Sequence, residues 1–190
     1  MFSITSVRSA GYLNEETIFA EVQLDGATSP NGTPSYLPLT LADDDSGPDA
    51  QMLRAIKEKH PITVPDFVLD EARRKKRAEI NQWRDEQENG NYLFEYDGHR
   101  WDYGKATQDR MSISLVMAKR GDLPPDFAWT DGDNNIVPMG NAGLIALAAA
   151  IERAMFEKGV QINQRQLQMK AEVEALTTLE DIRRYRVDWQ

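Results

Sequence analysis

The chain contains no cysteine among its 190 residues. That excludes a disulfide framework, a zinc–thiolate site and thiolate catalysis, and it accords with a reducing compartment. Basic residues are also in the minority, and the net charge is −9 at pH 7. A general nucleic-acid binder, whose affinity comes from neutralising phosphates, is therefore disfavoured, as is an anionic membrane surface. No export signal is visible at the N-terminus. The longest apolar run, residues 144–151, falls far short of the ~20 residues needed to span a bilayer, so a soluble protein is expected.

Histidine is scarce too, with His60 and His99 alone. Neither lies near a recognisable acid-plus-nucleophile arrangement, and the chain lacks a nucleophile elbow, a phosphate loop and a zinc helix motif. One stretch, Asp131-Gly132-Asp133-Asn134-Asn135, begins like a calcium loop. Such a loop requires glycine at its sixth position and a bidentate glutamate at its twelfth, where this chain has Ile136 and Ala142. The expected reading is a plain turn, with no metal, no cofactor and no catalytic residue. The acidic run Asp43-Asp44-Asp45 reads as a solvated loop.

What is present organises into an α+β pattern. Residues 2–8 alternate, with Phe2, Ile4 and Ser6 on one side, and a turn is expected from Gly11 to Glu15. A second strand follows at residues 17–24, with Ile18, Ala20, Val22 and Leu24 on one face. A loop rich in Gly, Ser, Pro and Asn leads to a third strand, Tyr36-Leu37-Pro38-Leu39-Thr40. Pro38 cannot donate a ladder hydrogen bond, which marks this strand as an edge. Met52, Leu53 and Ile56 are spaced for one face of a short helix, with Pro48 at its first turn, and two prolines exclude a helix from residues 61–65. The expected organisation is a small antiparallel β-meander over residues 1–60, a linker over 61–66, and a helical domain with two short β-hairpins over 67–190. Residues 1–66 hold four basic and ten acidic side chains, which assigns −6 of the net charge to the smaller part.

The larger part opens with a helix expected from Phe67 to Glu88, with Asp66 as a candidate N-cap. The run Arg73-Arg74-Lys75-Lys76-Arg77 crosses its outer face. It reads as a solvated face partly paired with Glu71 and Glu79 rather than as an anion patch. Two aromatic-rich runs, residues 92–96 and 99–103, flank Asp97-Gly98, the sequence a type I′ hairpin turn requires. A second hairpin is expected around residues 131–134, and a helix over residues 107–120 lies between the two. The aromatics of both hairpins are expected mostly to pack against the helices.

The last helix is expected from residue 140 to about 176, roughly 55 Å at 1.5 Å per residue. Leu144, Ala148, Ile151, Met155, Ile162, Met169, Val173 and Leu176 form a heptad-like seam. Gly159 costs ~1 kcal/mol relative to alanine in mid-helix. A further turn of helix near residues 179–185 and a loose tail over 187–190 complete the pattern.

Residues 67–179 resemble a domain of unknown function found in tailed-phage tail proteins. The resemblance is carried by Arg77-Ala78-Glu79-Ile80-Asn81, the first hairpin, Leu123-Pro124-Pro125-Asp126-Phe127-Ala128-Trp129-Thr130, Asp133-Asn134-Asn135-Ile136-Val137-Pro138-Met139 and the apolar residues 144–151. The N-terminal part, with Ile4-Thr5-Ser6-Val7-Arg8 and the strand at Tyr36-Leu37-Pro38-Leu39-Thr40, is similar to the β-rich start of phage tail-fibre assembly proteins. The resemblance implies a non-enzymatic chaperone that binds the C-terminal tip of a tail fibre and aids its folding and trimerisation. It implies action in the bacterial host cytoplasm during assembly, with retention in the virion tail as a variant. A structural tail or baseplate component and a fibre-tip adhesin are the alternatives. A glycan hydrolase, from a different class, lacks a recognisable acid pair. Tyr36, Leu37 and Leu39 on the edge strand are the expected partner-binding residues, because an open edge accepts a strand from a partner. Self-association through the long C-terminal helix is the competing use.

Overall fold

The computed structural model describes residues 3–189; Phe2 of the first expected strand and Gln190 of the tail lie outside them. The fold is α+β: a three-stranded antiparallel sheet, then helices interleaved with two short antiparallel strand pairs. Compactness divides the chain into two units. One comprises residues 1–78 with 172–186, the other residues 79–171 with 187–190. The division does not fall at residues 61–66.

In the first unit, β1 (Ile4–Asn14), β2 (Thr17–Leu24) and β3 (Leu37–Ala42) form a sheet in that order, so β2 is central. β1 runs past the turn expected at Gly11 and reverses only at Glu15-Glu16, where the Glu16 amide donates to Asn14 Oδ1 (2.9 Å). The alternation on β2 buries Ile18, Ala20 and Val22. Helix α1 (Ala50–Lys59) supplies Leu53 and Ile56, both fully buried. It begins two residues after Pro48.

The segment expected to be a linker is part of this fold. The Thr63 amide donates to Ala10 O (3.0 Å) and the Tyr12 amide donates to Thr63 O (2.9 Å), which places Thr63 against the outer edge of β1. Proline spacing correctly excludes helix there but says nothing of a long-range pairing.

Helix α2 (Asp66–Glu88) and helix α4 (Asn141–Ala175) run unbroken, and Gly159 does not interrupt α4. Asp66 is the first residue of α2 rather than its cap. Within the first unit, Val68 and Ala72 of α2 pack on Leu179 and Ile182 of α5 (Leu179–Arg184), with Tyr12 and Val64 against them. The Thr178 side chain caps α5 by accepting from the Asp181 amide. Arg73 donates to the carbonyl of Leu176 (2.9 Å), satisfying a group that a helix end leaves open. Elsewhere in the basic run Arg74 pairs with Glu71, Lys75 with Glu15 and Arg77 with Glu174.

The second unit is built on a hairpin of β4 (Tyr92–Tyr96) and β5 (His99–Tyr103). Its turn has positive φ at both central residues, 51° at Asp97 and 76° at Gly98, as a type I′ turn demands. Helix α3 (Lys105–Arg120) and a shorter hairpin of β6 (Ala128–Thr130) and β7 (Ile136–Pro138) follow. Trp101, Met111, Ala118, Leu144, Leu147, Ala148 and Ile151 form the core, with Phe94, Tyr103, Phe127 and Trp129 half-buried around it. The heptad-like seam of α4 is thus spent inside the chain: Leu144, Ala148, Ile151, Ile162, Met169 and Val173 are all buried.

The segment expected to be a loose tail is held at Trp189. Trp189 meets the Trp83 ring edge-on at 4.9 Å and donates to Gln87 Oε1 (2.8 Å), and Lys158 Nζ lies 4.1 Å from its ring. The same ammonium sits 4.5 Å from the Tyr92 ring, and its burial lowers the Lys158 pKa.

Because α5 closes the core of the first unit, Ile182→Ala is expected to lower unfolding stability by about 2–5 kcal/mol, the usual cost of truncating a buried isoleucine. Urea denaturation measures this; a loss below about 1 kcal/mol would show that α5 is not part of that core.

Candidate partner-binding groove

Leu37 and Leu39 lie two apart on β3 and so share one face of the sheet. That face, together with Ile4, Val22 and Leu24, meets Pro48, Gln51, Met52 and Ala55 from the α1 side to form a groove of about 610 Å³. Leu37 is 44% exposed, while Leu39 and Met52 are half-buried. The groove is mostly apolar.

Among the described residues β3 pairs with β2 alone, so its outer edge is open along its length, whereas the outer edge of β1 is met at one position, by Thr63. An apolar groove beside an open strand edge supplies both elements of strand addition: backbone groups for pairing, and a surface for alternate side chains. Of the three expected partner-binding residues, Leu37 and Leu39 come together on the groove. Tyr36 lies just before β3 and does not line it. Its hydroxyl is 3.3 Å from Ser6 Oγ, and the Arg8 guanidinium lies 5.9 Å from its ring centroid. The opposite wall was missed from sequence because Met52, Leu53 and Ile56 read as one face. Leu53 and Ile56 enter the core, whereas Met52 pairs with Ala55, one turn on, at the groove.

Charge does not single out this module. Residues 73–77 fold into the same unit, which therefore holds twelve basic and sixteen acidic side chains, against ten and fifteen in the other. The units carry −4 and −5, and the asymmetry expected from residues 1–66 disappears.

A polar cluster in the same unit is structural. Asp43, whose side chain is 7% exposed, accepts from Tyr12 Oη (2.6 Å), Arg183 (2.8 Å) and Lys57 (3.2 Å). Burial alone would raise its pKa, but these three donors outweigh burial and hold it below the ordinary carboxylate value. Burial and the bond to Asp43 push the Tyr12 phenol up to about 12.

In the second unit, Asp131 has the most perturbed carboxylate. Its side chain is 1% exposed and accepts from Asn135 Nδ2 (3.0 Å), the Asn135 amide (2.8 Å), the Asp133 amide (2.9 Å) and His99 Nδ1 (3.0 Å). Led by the Asn135 side chain, these donors bring its pKa down to about 2. The calcium-like stretch is therefore an Asx-type turn whose carboxylate binds its own loop. The Gly132 amide donates to Arg100 O (2.6 Å), and a Cβ at Gly132 would stand 2.5 Å from Leu93 Cδ2. A larger residue there would have to push the Leu93 side chain aside and crowd the Arg100 carbonyl, 3.1 Å from that Cβ. Glu95, Tyr96, Arg100 and Asp133 border the His99–Asp131 pair, and no serine, threonine or cysteine among the described residues lines that cleft. Among the described residues, no group of three or more His, Asp or Glu side chains is placed to hold a metal ion. No helix among them is long and apolar enough to cross a membrane.

Against known proteins, one family model, described as a domain of unknown function (DUF4376), matches residues 71–187. No curated protein and no solved structure matches the chain.

The Asp131 turn has a pH signature. A carboxyl with a depressed folded pKa contributes stability that is complete above its ordinary value, near 3.8, and is lost as pH falls through about 2. The stability difference between wild type and Asp131→Asn should be flat above about pH 5 and shrink from about pH 4 to 2. Urea midpoints across that range test this, and a difference unchanged down to pH 2 would refute it.

Proposed function

From the premise that the chain belongs to the DUF4376 family, we propose that it is a non-enzymatic assembly chaperone for the tail fibre of a phage or phage-derived particle. It acts in the bacterial host cytoplasm, where its first unit binds the C-terminal tip of the fibre. The observation that carries this reading is the open edge of β3 lying along the apolar groove of Leu37, Leu39, Met52 and Ala55. The resemblance of residues 67–179 to a domain of tailed-phage tail proteins supports the same assignment, as does the similarity of the first strands to fibre-assembly proteins.

An incompletely folded fibre tip exposes strands and apolar side chains. A strand from it, laid antiparallel on β3, completes backbone hydrogen bonds on both chains and buries alternate apolar side chains in the groove. The partner is a protein segment; no nucleic acid or membrane is involved. Since the charges of the two units are similar, apolar complementarity and backbone pairing provide the recognition.

Co-expression with the neighbouring fibre protein tests this. The chaperone should raise the yield of soluble, trimeric fibre and co-purify with it. Leu37→Glu, at an exposed position, should leave the fold intact and weaken fibre binding about tenfold to a hundredfold, the equivalent of losing one buried leucine contact. Undiminished trimer yield without the protein, together with its presence in finished particles, would favour a structural tail component or tip adhesin instead.

A further inference from the structure

The second unit contains a small cavity of about 210 Å³ between the first hairpin and α4. Tyr92 and Tyr103, with rings 5.3 Å apart, line it from the hairpin, and Met155, Gly159 and Ile162 line it from the helix. Most of the lining is apolar. A cavity of about 150 Å³ is enough to hold benzene, so this one has room for a single six-membered ring with a small substituent.

Gly159 keeps that room open. A glycine in a helix interior costs stability, and a Cβ at this position would meet no atom within 4 Å. The packing of the described residues does not require glycine here; its effect is to leave the cavity wall without a side chain.

The cavity also holds a half-buried cation. The Lys158 ammonium lies 4.5 Å from the Tyr92 ring and 4.1 Å from the Trp189 ring, and among the described residues no carboxylate or carbonyl accepts from it. Ring faces attract an ammonium but supply no hydrogen-bond acceptor for its three donors. Burial lowers its pKa, with no acid to oppose the shift. The lining carries one further charge of each sign, Lys105, which donates to Asn89 Oδ1 (2.9 Å), and the exposed Glu88. Lys158 is therefore the unbalanced charge of the site.

We propose that this cavity binds a small aromatic monocarboxylate, its ring among Tyr92, Tyr103 and Met155 and its carboxylate on the Lys158 ammonium. A carboxylate supplies the acceptors that the ammonium lacks, and such charge-assisted bonds are the strong ones. A cation is repelled by the same group, a neutral ring leaves it without an acceptor, and a dianion brings more charge than one ammonium balances. The tyrosine rings accept a flat ring edge-on or offset. The site shares no residue with the groove on the first unit and does not depend on the fibre-binding reading.

Benzoate titrated into the full chain, followed by amide chemical shifts, tests the proposal. Saturable binding with a Kd below about 1 mM is expected for a ligand of this size, with shifts concentrated at residues 90–92, 103–105 and 155–162. Benzamide, of the same shape but neutral, should bind at least about tenfold more weakly. Lys158→Met retains an apolar stem and should weaken benzoate by a similar factor. Gly159→Leu fills the cavity from the helix side. It should leave the thermal melt at or above that of wild type and still abolish binding, a pairing that loss of fold does not produce. No saturable shift up to about 20 mM benzoate, benzamide binding as well as benzoate, affinity unchanged by Lys158→Met, or shifts centred away from the cavity would each overturn it.

Discussion

Backbone hydrogen bonding at the rim of a three-stranded sheet is the constraint on which this structure depends. A sheet has two outer strands, and each must be paired, covered or left to water. Thr63 meets β1 through two backbone hydrogen bonds. That contact covers only one position of β1, while β3 receives no outer partner at all among the described residues, and Pro38 removes one donor from it without closing it. The apolar face beside that edge is only partly filled by α1, which leaves the groove. One missing neighbour thus accounts both for the exposed leucine at position 37 and for the unpaired backbone, and the functional proposal follows from the two together.

That sheet is not an autonomous module. A unit of roughly 60 residues is marginal when it must supply its own core, and this one draws on distant chain. Ile182 and Leu179 fill the space between Tyr12, Val64 and α2, while Arg183 reaches the carboxylate of Asp43. Removing one donor from Asp43 would leave a mostly buried carboxylate short of partners, the costly way to break such a cluster. The folding of the candidate groove is therefore tied to residues more than a hundred positions away. Fragments cut near residue 60 would test the integrity of the fold rather than the location of binding.

Local chemistry was readable in the sequence; long-range pairing was not. Asp97-Gly98 dictates its own turn, the alternation of Ile18, Ala20 and Val22 dictates the buried face of β2, and Pro38 by itself marks the edge strand. Gly11 misleads because glycine commonly signals a turn, yet here it sits inside β1 opposite Thr63. The prolines around Thr63 exclude helix without revealing that the residue between them pairs with β1. Trp189 looks like part of a loose tail because its partners, Trp83 and Lys158, are far away in sequence. At the candidate site, Leu37 and Leu39 could be named from the edge strand. Met52 and Ala55 could not, since the same helix turn also carries the core residues Leu53 and Ile56, and periodicity alone does not separate the two walls. The basic run at residues 73–77 is a related case: its partners Glu15, Glu174 and the Leu176 carbonyl are tertiary, so the charge balance counted along the chain did not survive folding.

The place where a fibre tip touches the chain decides whether β3 is the binding edge. Amide hydrogen exchange of the full-length protein, with and without the soluble C-terminal segment of the fibre, reads this directly. Strand addition predicts new protection concentrated on the outward-facing amides of β3 within residues 37–42, Pro38 having none, with lesser protection at residues 51–55 lining the groove. Protection confined to residues 79–171, with β3 exchanging as in the free protein, would contradict it and place the chaperone surface on the helical unit.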